Sequence, residues 1–124
     1  MAKERTVLVC EDNKSTYMLL ERALKGIGYH VLIDPTGDKA FDFINNHNLD
    51  LIITDLNMPS VSGFEIIEYA RKKKVSKIPI IVLTNMIFSE TYDQAMELGA
   101  DVFLTKPFDL HDFTETVKSL EDTD

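Results

Sequence analysis

The chain has 124 residues, 13 Lys and Arg against 21 Asp and Glu, and a formal charge of −8 at pH 7. That length supports one domain with a real core, since a chain of this size buries roughly two-thirds of its unfolded surface, and an apolar fraction of 44% excludes disorder as the main state. The acidic balance argues against nucleic-acid binding, no apolar run approaches the ~20 residues of a membrane helix, and Met1-Ala2-Lys3-Glu4-Arg5 leads into no secretory core.

The first apolar run, Thr6–Cys10, reads as a strand and ends in the pair Glu11-Asp12. Cys10 is the only cysteine, which excludes an internal disulfide, fits a reducing cytoplasmic setting and reads as a small buried apolar residue. A helical stripe follows at Tyr17, Leu20, Leu24 and Ile27, with Gly26 and Gly28 as helix-end and turn glycines. His30–Asp34 is the second strand, and Ala40, Phe43 and Ile44 mark the second helix. Leu51–Asp55 is the third strand, closed by Asp55. Ser62 and Glu65 read as a capping box for a third helix carrying Phe64, Ile67 and Ala70. The basic run Arg71-Lys72-Lys73-Lys74 reads as its solvated end, favoured by the helix dipole. Ile80–Thr84 is the fourth strand. Met86-Ile87-Phe88 after it reads either as a partner patch or as packing beneath the next helix, which carries Tyr92, Ala95 and Met96 and stops at Gly99. Val102–Thr105 is the fifth strand. Asp109 reads as the N-cap of a last helix with Leu110, Phe113, Val117 and Leu120, and the acidic Glu121-Asp122-Thr123-Asp124 ends the chain.

Five short strands, each apolar on both faces and alternating with five amphipathic helices, predict an α/β fold: a doubly wound, mostly parallel sheet with helices on both faces. Nothing in the composition divides residues 1–124, so the expectation is a single domain with no output domain.

In such a sheet ligands bind beyond the carboxyl ends of the strands, where strand order reverses. The polar residues fall there: Glu11, Asp12, Asp55 and Thr84 at strand ends, Lys106 just after the fifth. If the first and third strands are neighbours, three carboxylates converge, and converging carboxylates need a compensating cation. Magnesium suits oxygen donors, whereas His30, His47 and His111 are scattered and Cys10 has no clustered partner, which speaks against zinc. A carboxylate beside Mg²⁺ and a lysine is suited to nucleophilic attack on a phosphoryl group, with Thr84 donating to a phosphoryl oxygen.

Val9-Cys10-Glu11-Asp12-Asn13, Thr54-Asp55-Leu56-Asn57-Met58-Pro59 with Gly63, Val82-Leu83-Thr84 and Thr105-Lys106-Pro107-Phe108 together resemble the receiver domain of two-component response regulators, most of all the stand-alone chemotaxis-regulator kind. The resemblance implies a flavodoxin-like (βα)5 fold with strand order 2-1-3-4-5. It implies Asp55 as phosphoacceptor, and Mg²⁺ held by Asp12, Asp55 and the backbone carbonyl of Asn57, with Glu11 acting through water. Thr84 and Lys106 would contact the phosphoryl group, Phe103 would be an aromatic switch, and the Lys106-Pro107 bond would be cis. The implied partners are a histidine kinase or histidine phosphotransfer domain and a downstream effector. The effector would read the surface of the fourth helix, fifth strand and fifth helix, where Tyr92, Glu97, Phe103 and His111 are candidates. Asn85 departs from the pattern, since many receivers carry a small residue there.

Three other readings compete. An aspartate-nucleophile phosphatase of the haloacid-dehalogenase kind would place its nucleophile early and its acidic pair late, the reverse of Glu11-Asp12 and Asp55. A flavin module would need a phosphate cradle where Glu11 and Asp12 repel one. A receiver that binds partners without phosphorylation has no need of Asp12, Asp55, Thr84 and Lys106 together.

Overall fold

Aliphatic and β-branched runs become strands because their side chains can be buried on alternating faces, and the amphipathic stretches between them become the helices that cover those faces. The computed structural model describes residues 4–73 and 77–121; the leading three residues, Lys74 of the basic run and the last three residues of the acidic tail lie outside the described residues. In chain order the elements are β1 (Arg5–Cys10), α1 (Lys14–Gly26), β2 (Tyr29–Asp34), α2 (Ala40–Asn46), β3 (Leu51–Thr54), α3 (Gly63–Lys73), β4 (Ile80–Thr84), α4 (Ser89–Leu98), β5 (Val102–Thr105) and α5 (Leu110–Glu121). All five strands are parallel in the order β2-β1-β3-β4-β5, the doubly wound, flavodoxin-like arrangement expected.

The period-two alternation of the strands divides the core. Val7, Val9, Leu51, Ile53, Ile81 and Leu83 face α1 and α5, packing on Leu20, Leu24, Phe113 and Val117. Leu8, Cys10, Ile52 and Val82 point the other way, onto Ala40, Ile44, Ile66, Ile67, Ala70 and Ala95 of α2, α3 and α4. Burial on both faces holds for the three inner strands but not for the outer two: β2 and β5 are largely half-buried, as edge strands must be. β3 stops at Thr54, one residue short of the expected end, yet the Asp55 amide still donates to the Cys10 carbonyl at 3.0 Å.

The punctuation is as read. Ser62 and Glu65 exchange amide-to-side-chain bonds at 3.2 Å each, Asp109 Oδ1 accepts from the Asp112 amide at 2.9 Å, and Gly99 ends α4 at φ 120°. Tyr92 departs from its stripe. It is 48% exposed and packs edge-on against Phe103, the ring centroids 5.3 Å apart.

Arg71 corrects the reading of the basic run as solvated. Its guanidinium donates to the Gly99 carbonyl through Nε and Nη2 (3.0 and 2.8 Å) and to the Ile78 carbonyl through Nη1 (2.6 Å). Nη2 also bonds Asp101 Oδ2 at 2.8 Å. A planar fork satisfying two carbonyls and a carboxylate outweighs solvation of the charge. Lys72, by contrast, is exposed and pairs with Glu68. Arg71→Ala is expected to cost about 2 kcal/mol, because part-buried carbonyls lose charged donors. Thermal unfolding followed by circular dichroism should show it, with Arg71→Lys recovering less than half of the loss; a Lys variant as stable as wild type would show that the fork geometry contributes nothing.

Candidate functional site

The register of the sheet assembles the site. Cys10 pairs with Thr54, so Glu11 and Asp12 emerge beside Asp55, and Thr84 pairs with Thr105, so Lys106 emerges beside the end of β4. The Lys106 amide donates to the Thr84 carbonyl at 2.9 Å, and the Lys106-Pro107 bond is cis. Asn13, immediately after the acidic pair, caps α1 by accepting from the Thr16 amide at 2.9 Å, which turns the chain away from the crevice.

One oxygen from each of Glu11, Asp12 and Asp55 lies within 4.8 Å of the others. Lys106 Nζ donates to Glu11 Oε1 at 2.6 Å and to Asp55 Oδ2 at 2.7 Å. Glu11 and Asp55 are buried, at 2% and 6% exposure, whereas Asp12 is exposed. The second oxygen of each buried acid is taken by backbone: Glu11 Oε2 accepts from the Asn13 amide (3.0 Å), and Asp55 Oδ1 from the Leu56 and Asn57 amides (2.6 and 3.3 Å). Burial pushes the Glu11 carboxyl above its ordinary range, with the Lys106 bond and the Asn13 amide pulling the other way and the Asp55 charge reinforcing the rise. Burial alone would lower the Lys106 ammonium, but hydrogen bonds and charge from Asp55 and Glu11 outweigh it and hold the group above its ordinary value.

Three carboxylates and one ammonium carry a formal charge of −2, and every candidate side-chain ligand atom of the acids is a hard oxygen. A divalent cation of the magnesium or calcium type fits that set. The ammonium touches Glu11 and Asp55 but leaves Asp12 open, so it compensates the buried pair without closing the cluster. Histidines contribute nothing: His30 lies on β2, His47 at the end of α2 and His111 on α5. Cys10 is buried in the core, and burial pushes its thiol up and keeps it protonated.

Thr84 is fully buried, and its Oγ1 accepts from the Met86 amide at 3.2 Å, leaving its own proton to donate. Asn57 is exposed at the rim. Asn85 is exposed too and borders an open groove shared with Thr16, Leu19, Lys106, Pro107 and Phe108. The run after β4 divides: Met86 is half-buried against the core, while Ile87 and Phe88 are 71% and 67% exposed. Phe103 is half-buried on β5, beneath the exposed Tyr92. Glu97 and His111 are exposed on α4 and α5.

Sequence reasoning missed Asp34. It is fully buried at the end of β2, its carboxylate accepts from the Thr36, Gly37 and Lys39 amides, and its carbonyl accepts from the Glu11 amide at 3.3 Å. The signal was available: Asp34-Pro35-Thr36-Gly37 directly after a strand is an Asx-type turn.

Residues 7–118 match the model of the response regulator receiver domain. The transcriptional regulatory protein RprY of Bacteroides fragilis is 31% identical over 97% of this chain, which spans about half, 50%, of that relative's length. The polar-differentiation response regulator DivK of Brucella ovis is 28% identical over 93% of this chain and 94% of its own. Among solved structures, the chemotaxis protein CheY4 of Vibrio cholerae superposes with a TM-score of 0.87 at 28% identity, covering 95% of this chain and 99% of that one. The receiver domain of the sensor histidine kinase PA1611 of Pseudomonas aeruginosa, solved with magnesium in its active-site cleft, has a TM-score of 0.84 at 23% identity, which shows the shared fold; it covers 95% of this chain and 98% of that one.

Proposed function

The chain belongs to the response regulator receiver family, and on that premise we propose that it is a phosphorylation switch whose phosphoacceptor is Asp55. The family is a signalling module rather than an enzyme class, and it implies a kinase partner. No helix among the described residues is long and apolar enough to cross a membrane.

The observation that carries the proposal is the cluster itself: three acid oxygens within 4.8 Å and an ammonium on two of the acids. A carboxylate oxygen of Asp55 attacks the phosphorus of a phosphohistidine protonated on its other ring nitrogen; the O–P bond forms, the N–P bond breaks, and neutral imidazole leaves. Asp12, Asp55 and the Asn57 carbonyl would hold Mg²⁺, with Glu11 acting through water, and the ion supplies charge neutralisation for the phosphoryl oxygens. Lys106 exchanges one carboxylate partner for a phosphoryl oxygen, and Thr84 turns its free proton to another. Moving Thr84 disturbs Met86 and the start of α4, and Phe103 and Tyr92 repack as a pair. The altered surface of α4, β5 and α5 is what an effector reads.

Incubation with Mg²⁺ and acetyl phosphate should add a phosphoryl group to the Asp55 peptide, detected by mass spectrometry. Asp55→Asn and chelation of Mg²⁺ should each abolish the label. An unmodified peptide, while a known receiver is labelled in parallel, overturns the proposal in favour of a partner-binding module that needs no phosphate.

A further inference from the structure

The turn between β2 and α2 contributes no carboxylate to the cluster, yet it is hydrogen-bonded to both loops that carry the cluster. Asp34, with no exposed surface, closes the turn by accepting from the Gly37 and Lys39 amides at 3.0 Å each and the Thr36 amide at 3.3 Å. Three N–H groups on one buried carboxylate make a rigid turn, since charged acceptors strengthen each bond and leaving any donor unpaired in the interior is costly. The turn then reaches the loop that follows Asp55 at two consecutive residues. The Thr36 carbonyl accepts from the Ser60 amide at 2.8 Å. Gly37, at φ +91°, packs so closely on Val61 that an added Cβ would lie 2.9 Å from the Val61 carbonyl oxygen. On the other side the Asp34 carbonyl holds the Glu11 amide.

We infer that Asp34 is a positioning residue for the divalent-cation site: the turn it closes braces the 55–62 loop from outside and fixes where the Asn57 carbonyl and the Asp55 carboxylate stand. The inference rests on the cation reading of the preceding subsection and extends it. Asp34 touches no ion; it acts through Thr36, Gly37, Ser60 and Val61. Magnesium demands near-ideal octahedral geometry, whereas calcium accepts irregular coordination. A loosened loop therefore penalises magnesium selectively, while a general loss of folding would weaken both ions alike.

The test is a calorimetric titration of Mg²⁺ and of Ca²⁺ into wild type, Asp34→Asn and Ser60→Pro, well below each melting temperature. Asp34→Asn keeps the side-chain shape but replaces one acceptor by a donor. Ser60→Pro deletes the tether's N–H at an exposed residue and spares the buried carboxylate, so it serves if the first variant does not fold. Mg²⁺ affinity should fall by about tenfold, the low end for outer-shell partners of metal ligands, with Ca²⁺ affinity much less affected. In Asp34→Asn the Ser60 amide should also exchange faster with deuterium. A lowered melting temperature with an unchanged Mg²⁺ to Ca²⁺ ratio overturns the inference and leaves Asp34 a purely structural residue. Failure of the wild type to bind Mg²⁺ overturns the cation reading as well, so the two failures are told apart by which protein shows them.

Discussion

Lys106→Met is expected to destabilise the protein by about 3 kcal/mol at neutral pH, as breaking a buried ion pair does when one charge is left behind. For a chain of this size that is a fall of roughly 10 °C in melting temperature. The loss arises because Glu11 and Asp55, both nearly fully buried, share the Lys106 ammonium at 2.6 and 2.7 Å. With the ammonium gone, the two acids face each other, and one of them takes up a proton. The pH dependence follows. Burial already raises the folded-state Glu11 carboxyl above its unfolded value of 4.5, and loss of the cation raises it further. A group whose folded pKa is raised binds more protons when folded, so its favourable contribution is complete below the unfolded pKa and disappears as pH rises through the folded one. In the wild type the raised Lys106 contribution is present below its unfolded pKa of 10.5 and is lost only as pH rises through the folded value above that, so it stays constant between pH 5 and pH 8. The deficit of the variant should therefore be smaller at pH 5 than at pH 8, and Mg²⁺ should raise the melting temperature more in the variant than in wild type, because the ion then supplies the only positive charge. A deficit that is the same at both pH values and indifferent to Mg²⁺ would show that the carboxylates do not depend on the ammonium.

The candidate site was legible as a cluster because its residues sit where topology brings them together. Glu11, Asp12, Asp55, Thr84 and Lys106 each end or follow a strand, and a parallel sheet brings all carboxyl ends to one edge, so spacing along the chain became proximity in space. The fold was legible for a similar reason: alternating apolar runs and helical stripes are statements about burial, and burial is what the sheet achieves. What escaped were interactions whose partner is backbone. Arg71 looked like one of four solvated cations, because nothing in its neighbours announces that the Gly99 and Ile78 carbonyls await it. Asp34 ends a strand and Asp55 follows one, yet the carboxylate oxygens of Asp34 go to three amides of its own turn. Tyr92 occupied a stripe position and still lies at the surface, because its ring finds Phe103 on an edge strand and not the core. The amphipathic pattern cannot separate these cases, since α4 covers only part of β5.

Gly63→Ala is the other large effect, and it reaches the chemistry through backbone alone. Gly63 opens α3 with its Cα against the segment that carries Asp55: a Cβ there would overlap the Asp55 carbonyl oxygen and lie 2.8 Å from Leu56 Cα. Neither contact is with a flexible side-chain end, so the loop itself must give way, at about 3 kcal/mol, the upper range for overpacking. The Gly63 amide also closes the loop by donating to the Leu56 carbonyl at 3.0 Å, and the Leu56 and Asn57 amides orient Asp55 Oδ1. Any retreat of residues 55–57 therefore carries the carboxylate with it. A displacement near 1 Å costs a reaction on the order of 100-fold through lost alignment, so labelling by acetyl phosphate should slow by that factor even where the variant is fully folded. Gly26→Ala is the matched control: no heavy atom lies within 4 Å of its would-be Cβ at the end of α1, so the change should be neutral or stabilising by a few tenths of a kcal/mol, roughly, with labelling unchanged. Equal labelling rates for Gly63→Ala and Gly26→Ala would mean that the Asp55 carboxylate is positioned by something other than the closed loop from Asp55 to Gly63.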